Sequence, residues 1–339
     1  MKIAHIHVWD KNNKGDFAIV QAVQQIIGEN LTDSKISDFP MTVLRDGKKT
    51  DIEKINVADL VIIGGGGIYY RWFLPYSTEF IKKIKPPIVI FGVGYIREIG
   101  SRKLNKKEIE SIAVLNKKAA LSSVRDYYTK NFLIKAGVPI KKISVIGDPA
   151  IFLLEKKPKK ITFNNKIKIG LNLNYSGWLG FGYFEKDILK SYEETASYFQ
   201  NEFDAEIYYM YHHPDEKKIC QKLKIDKIKP INLPPTQQKY VYGKMDLIIG
   251  MMLHSVVLSF GAKTPEINVA YDIRNKSFAK FIGCPELVIS SKKLKNQTLL
   301  KRAKIVFKNR QNYKIKFERR KEKIWKKHLL FLDEIKKIK

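Results

Sequence analysis

The residues able to do chemistry gather where apolar runs stop. The run Met245–Gly250 is followed by His254 at the head of a helical pattern. That position puts the imidazole at the mouth of a sheet, where it can act as a general acid or bind an anion. Asp16 closes the loop Asn12-Asn13-Lys14-Gly15-Asp16, which follows the opening strand and begins a helix. The backbone N–H groups around Asn13 and Gly15 can hold an anion there, and Asp16 can serve as a base or merely cap the helix. Gly64 to Gly67 end another apolar run, and Gly65 and Gly66 would let backbone approach a ligand with no Cβ in the way. Because position 69 is Tyr, the full Gly-x-Gly-x-x-Gly spacing is missing and dinucleotide binding gains little support. Gly92 and Gly94 repeat the glycine logic. Arg125, beside Asp126 at a further strand end, carries the planar fork that grips phosphate or carboxylate. Its plainer reading is an arginine held by carboxylates of a neighbouring domain. Asp148, in Gly147-Asp148-Pro149, reads as a turn residue. His212 and His213 have no partners at metal-ligand spacing, and His5 and His7 alternate on one partly buried strand face, so no metal is expected.

The elements that must position these residues alternate between short apolar runs and helical patterns, the mark of parallel βαβ units. Strands are expected at 2–8, 59–63, 87–92, 121–125 and 143–146, with helices at 17–27, 77–84, 106–117 and 126–136. The charged, proline-containing stretch 155–166 reads as a linker. Beyond it, strands are expected at 167–173, 206–211, 246–249 and 266–270, with helices at 185–203, 215–223 and from 254. The division is thus an N-terminal Rossmann-like domain over 1–155, a C-terminal one over 166–291, and a basic helical segment over 292–339. Two such halves in series predict an α/β, GT-B-like architecture, two Rossmann-like domains facing an interdomain cleft, with a C-terminal helix. Ligands in open α/β sheets sit at the carboxyl ends of the strands, which is where the residues above lie.

Composition narrows the function classes. A chain of 339 residues with 44% hydrophobic content suits two packed cores and excludes global disorder. The formal net charge of +29 favours anionic partners, although a lean toward Lys, Ile and Asn gives the same charge with none. No nucleic-acid partner is expected, since the charge is dispersed and no aromatic-basic module appears. Two distant cysteines, Cys220 and Cys284, form neither a disulfide framework nor a zinc pattern and fit a reducing, cytoplasmic setting. The start MKIAHIHVWD lacks the features of a signal peptide. Residues 245–262 approach the length of a membrane span, but Asp246, His254 and two serines argue for strand, turn and helix. In the last segment Trp325, Leu329, Leu330, Leu332 and Ile335 read as an apolar stripe, either packed back on the N-terminal domain or lying peripherally on an anionic inner membrane face.

Six segments taken in order resemble the polysaccharide pyruvyl transferase family: Asn13-Lys-Gly-Asp16, ADLVIIGGGG (58–67), PPIVIFGVGY (86–95), SSVRD (122–126), VIGDPAIFL (145–153) and the long stretch 246–283. The resemblance implies a GT-B-like fold without a required metal or cofactor. It implies transfer of a group derived from phosphoenolpyruvate, the donor substrate, to hydroxyls of a saccharide acceptor. The usual product is a cyclic pyruvate ketal on a surface polysaccharide or its lipid-linked precursor. Where the family has Arg-Leu-His, this chain has Met252-Leu253-His254; where it has Tyr-Asp-Pro-Lys, this chain has Tyr271-Asp272-Ile273-Arg274. A neutral Met cannot pair with phosphate, and one lost charged partner forfeits about 1.5–3 kcal/mol. Arg274, Arg125 and Arg97 are the candidate substitutes. The expected roles are His254 as acid toward the enol methylene or the departing phosphate, and Asp16 as base on the sugar hydroxyl. Asn13, Gly15, Gly65, Gly66, Arg125 and Arg274 are expected around the donor. A nucleotide-sugar glycosyltransferase and a catalytically weak assembly scaffold are the rival readings.

Overall fold

The computed structural model describes residues 1–31, 33–97, 101–174 and 184–338. In the first half the order is β1 (Lys2–His7), α1 (Lys14–Asn30), β2 (Lys35–Pro40), α2 (Val43–Asp46), α3 (Lys49–Ile55), β3 (Leu60–Gly64), α4 (Thr78–Lys83), β4 (Ile88–Val93), α5 (Lys106–Lys118), β5 (Leu121–Val124), α6 (Tyr127–Lys135) and β6 (Ile143–Val145). The second half contains β7 (Lys168–Asn172), α7 (Glu185–Phe203), β8 (Glu206–Met210), α8 (Glu216–Lys222), β9 (Lys229–Ile231) and α9 (Pro235–Tyr242). It continues with β10 (Leu247–Gly250), α10 (Leu253–Gly261), β11 (Glu266–Ala270), α11 (Ile273–Phe281) and β12 (Val288–Ser290), then α12 (Thr298–Lys308) and α13 (Arg310–Lys336).

Every paired strand runs parallel, in two six-stranded sheets. Parallel sheets are covered by helices on both faces, so their inner strands read as unbroken apolar runs. β3, β4, β10 and β11 are buried along their whole length. The second sheet has the order β12-β11-β10-β7-β8-β9, the doubly wound Rossmann order. The first, β2-β1-β3-β4-β5-β6, differs: its order reverses between β1 and β3, as in flavodoxin-like sheets. The two switch points, β1/β3 and β7/β10, open toward each other.

The halves share apolar packing. One cluster runs from Ile3, Leu60, Ile62 and Phe91 of the first sheet through α1 and Ile151 to Ile169, Ile248 and Ile267 of the second. A smaller cluster, with Ala4, Ile6, Val61 and Ile90, fills the other face of the first sheet. Polar ties cross the same boundary. The Lys14 N–H donates to His212 O, and Lys239 Nζ, fully buried, donates to Ile151 O and Leu153 O at 2.7 and 2.6 Å.

The apolar stripe expected on the last helix needs correction. Leu329 and Leu330 are 37% and 69% exposed, while Ile324, His328, Phe331, Leu332 and Ile335 are buried. A 3.6-residue period from Ile324 selects this set, with a histidine taking an apolar place. Phe331 packs edge-on to Phe91 of β4 at 5.7 Å, so the helix folds back on the first half. Among the described residues no helix is long and apolar enough to cross a membrane.

Candidate active site

The cleft between the switch points holds a cavity of about 550 Å³. Val8 and Trp9 reach it from the end of β1 and Gly67 from the end of β3; Asn174 reaches it from beyond β7 and Met252 to His254 from the end of β10. Asn13, Asp16 and Arg274 are among its other polar lining residues.

His254 lies in the first turn of α10, 8% exposed, and its Nε2 has no hydrogen-bond partner. Burial first, then the positive charges of Arg125 and Arg274, holds its pKa well below the ordinary value. The ring is therefore neutral at pH 7. Asp16 Oδ2 accepts from Asn13 Nδ2 at 2.8 Å. Burial pushes its carboxyl up to about 6, against the pull of Arg125 and Arg274. At pH 7 it is mostly ionised yet still basic enough to accept a proton. Arg274 donates from Nε to Asp272 Oδ2 at 2.6 Å and from Nη2 to Tyr271 Oη at 3.2 Å. Burial works against its charge, but Asp272 and Tyr271 outweigh it, and the guanidinium stays firmly protonated.

Glycines set the closeness of these groups. A Cβ on Gly15 would stand 2.0 Å from His254 Nδ1, so α1 and α10 meet through a residue with no side chain. Gly65 and Gly66 have φ of +95° and +101°, which L side chains rarely adopt. A Cβ on Gly66 would come within 3.0 Å of Asp16 Oδ1.

Comparison with known proteins gives this constellation a setting. The family model for polysaccharide pyruvyl transferase matches residues 13–273. The chain belongs to that family. No curated protein sequence matches significantly. Among solved structures, the UDP-GlcNAc 2-epimerase of Methanocaldococcus jannaschii is 15% identical, with 91% of this chain and 93% of that chain covered and a TM-score of 0.59. The Neisseria meningitidis UDP-GlcNAc 2-epimerase, bound to UDP-GlcNAc, is 14% identical over 97% and 100% of the two chains, with a TM-score of 0.57. Anabaena Alr3699/HepE in complex with UDP-glucose is 11% identical over 96% and 95%, with a TM-score of 0.55. At these identities the likeness is one of fold, and the fold is of the GT-B type.

For a pyruvyl transferase family member, several expected contacts sit differently. Asn13 and Gly15 do not offer free amides to an anion. Asn13 Oδ1 accepts from Gly15 N and Asp16 N at 3.1 and 3.3 Å, Lys14 N donates to His212 O, and Phe17 N donates to Asn13 O. All four leading amides of α1 are thereby used. Asn13 instead orients Asp16, and Gly15 admits His254. Gly65 and Gly66 shape the turn, while Gly67 is the member of the run that lines the cavity. Arg125 is buried beneath Gly94, where a Cβ would lie 2.3 Å from its Nε. Its carboxylate neighbours belong to its own half, Asp126 at 3.9 Å and Asp148 at 3.6 Å, and its Nε and Nη2 lack hydrogen-bond partners. It acts on the cleft through its field rather than from the lining. Arg97 lines a separate pocket with Tyr128 and Lys135. Of the three substitutes considered for the missing arginine, Arg274 alone lines the cleft.

Trp9, Tyr70, Trp72 and Phe73 were not anticipated at the site, yet they line the same cavity. Trp9 and Trp72 are 52% and 56% exposed. Trp9 carried a readable signal: it sits two residues past the first strand, at its carboxyl end. Tyr70, Trp72 and Phe73 follow a glycine turn whose direction the sequence does not reveal.

Proposed function

We propose that this pyruvyl transferase converts phosphoenolpyruvate and two hydroxyls of a saccharide into a cyclic pyruvate ketal and inorganic phosphate. One observation carries the reading. A neutral imidazole with an unpartnered Nε2 and a carboxyl with a pKa of about 6 share one cavity with a permanently charged guanidinium. Groups whose proton affinities are displaced in one cleft are suited to acid and base work.

Arg274 and the N-terminal turn of α10 receive the donor's anionic groups. Burial chiefly keeps the His254 ring neutral, and nearby cations add to it; an anionic donor beside the ring supplies the opposite charge that favours its protonated form as the donor binds. That proton goes to the methylene carbon, making it a methyl group and leaving the adjacent carbon electron-poor. A sugar hydroxyl adds to that carbon as Asp16 takes its proton. Phosphate leaves, and a second hydroxyl of the acceptor closes the ketal. Of the two hydroxyl protons, one replaces the proton spent on the methyl and the other leaves with phosphate. Trp9 and Trp72 offer flat apolar faces to the C–H side of a sugar ring at the cavity mouth. A lipid-linked acceptor would bring the protein to a membrane surface by its substrate.

The test is incubation of purified protein with phosphoenolpyruvate and saccharide acceptors, followed by phosphate release and the ketal methyl signal by NMR. A parallel thermal-shift series compares phosphoenolpyruvate with UDP-sugars, because solved proteins of this fold hold UDP-glucose or UDP-GlcNAc. Stabilisation by UDP-sugars alone, with no ketal formed, replaces this reading with a nucleotide-sugar one.

A further inference from the structure

Behind the cavity wall lies a cluster that the proposed reaction does not use. His5 and His7 point the same way from β1, and Asp38 comes from the neighbouring edge strand β2, in register with His5. One donor atom from each lies within 4.8 Å of the others.

The hydrogen bonds decide which nitrogen of each ring is available. His5 Nε2 faces Gly64 O at 3.2 Å, and His7 Nδ1 faces Val8 O at 2.9 Å. A carbonyl oxygen can only accept, so both of those nitrogens carry the hydrogen. The lone pairs are then on His5 Nδ1 and His7 Nε2. His7 Nε2, however, lies 3.0 Å from Asp38 Oδ1, which in a carboxylate is also an acceptor. Two acceptors in contact require a proton shared between His7 and Asp38 or a cation bound by both. His5 Nδ1 lies 3.3 Å from the Gln24 amide, which in turn lies 2.6 Å from Asp38 Oδ1. His5, His7 and Asp38 thus bring three ligand atoms together, and a rotated Gln24 amide would add its oxygen as a fourth. The 3.0 Å between His7 Nε2 and Asp38 Oδ1 is close to the ligand–ligand edge of about 3.3 Å in a tetrahedral site with 2.0–2.1 Å bonds, and the three donor atoms all lie within 4.8 Å of one another. Metal-bound histidines usually give their other N–H to a backbone carbonyl, as both rings do here.

We propose that His5 Nδ1, His7 Nε2, Asp38 and the Gln24 amide oxygen form a binding site for one divalent transition-metal ion of the zinc class. Two imidazoles with oxygen donors suit such an ion better than Mg²⁺ or Ca²⁺, which favour all-oxygen sets. The site is structural in placement. It ties the ends of β1 and β2 together, and the His7 ring stacks on Trp9 at 5.2 Å and 10°. A bound ion would therefore fix one wall of the cleft without touching the reacting atoms.

No metal pattern is legible in the sequence because the third ligand is 31 residues beyond His7, on an edge strand with one buried residue. The proposal does not depend on the identity of the donor substrate.

The test uses the full chain, stripped with a chelator and titrated with Zn²⁺ by calorimetry in phosphate-free buffer. One equivalent is expected to bind with a Kd below about 1 µM and to raise the Tm. Visible absorption after Co²⁺ loading should show a four-coordinate site. His7→Ala and Asp38→Asn should each weaken binding at least about tenfold, and His213→Ala should leave it unchanged. Asp38 is 41% exposed, so Asp38→Asn tests the site with the fold intact, as checked by circular dichroism. No stoichiometric binding by the wild-type chain, or an affinity that Asp38→Asn leaves intact, overturns the proposal.

Discussion

Two of the helices that begin at the cleft, α1 and α10, come one from each half, and their first turns are built oppositely. α1 is closed: Asn13 caps it, and its leading amides are all used within the protein. α10 has no side-chain cap, its N-cap position is Met252, and its first turn presents His254 with a free Nε2. The same secondary-structure position therefore does different work. The α1 end holds Asp16 in place, and the α10 end carries no side-chain cap, which is where the proposed donor would sit. A glycine turn followed by a helix does not by itself mark a ligand site; what matters is whether the chain has already satisfied the helix end.

The contrast can be broken most severely where the helices touch. Gly15→Ala should displace His254, and His254→Ala should remove it, each lowering turnover about 10²- to 10⁴-fold in the phosphate-release assay. Circular dichroism should show His254→Ala folded. Asp16→Asn tests the closed end, with an expected loss of about 10²-fold or more. Wild-type activity should rise with pH through about 6, as the carboxyl ionises, and the residual activity of the variant should lack that limb. The sign for stability is the reverse. A carboxyl raised from 3.8 to about 6 by folding costs stability above that range. Asp16→Asn should thus gain about 3 kcal/mol over wild type at pH 8, measured by denaturant unfolding, and little at pH 3.5.

Met252→Arg sharpens the contrast at the open end. A guanidinium at the N-cap of α10 should tighten phosphoenolpyruvate binding about tenfold or more, read by calorimetry. A control lies outside the cleft and should leave activity untouched. His328, buried beside Phe91 and Phe152, is held at about 4 by burial, against the bond its ring makes to Ile324 O. Its neutral form contributes stability above pH 6.5 that is lost as pH falls toward 4. Relative to wild type, His328→Leu should therefore gain about 2 kcal/mol between pH 7.5 and 4.5, with activity at pH 7.5 unchanged.

The central strands were legible because burial on both faces leaves an unbroken apolar run, as in LVIIG of β3 and EINVA of β11. Helix α7 was readable to its ends, 185 and 203. The strands missed were β2, β9 and β12, and all three are sheet edges. β2 reads KISDFP with one buried residue, and β9 is only KPI, so neither carries an apolar run. Missing β2 also hid Asp38. At the site, His254, Asp16 and Arg274 were legible as residues, and the structure brings them to one cavity. The duties of Gly15 and Arg125 were not, because they depend on His254 and Gly94, which come from other elements, and Asn13 is spent on capping its own helix.

α13 has 27 residues, about 40 Å of continuous helix. Its early turns are fastened to the second half: Lys316 to Glu286, Lys263 to Glu318, and Arg320 to Phe281 O. Its later turns, through His328 and Phe331, lie against the first sheet. A rigid rod clamped at both ends works as a splint. Pulling the halves apart along its length would have to break both sets of contacts at once, so one continuous helix braces the pair.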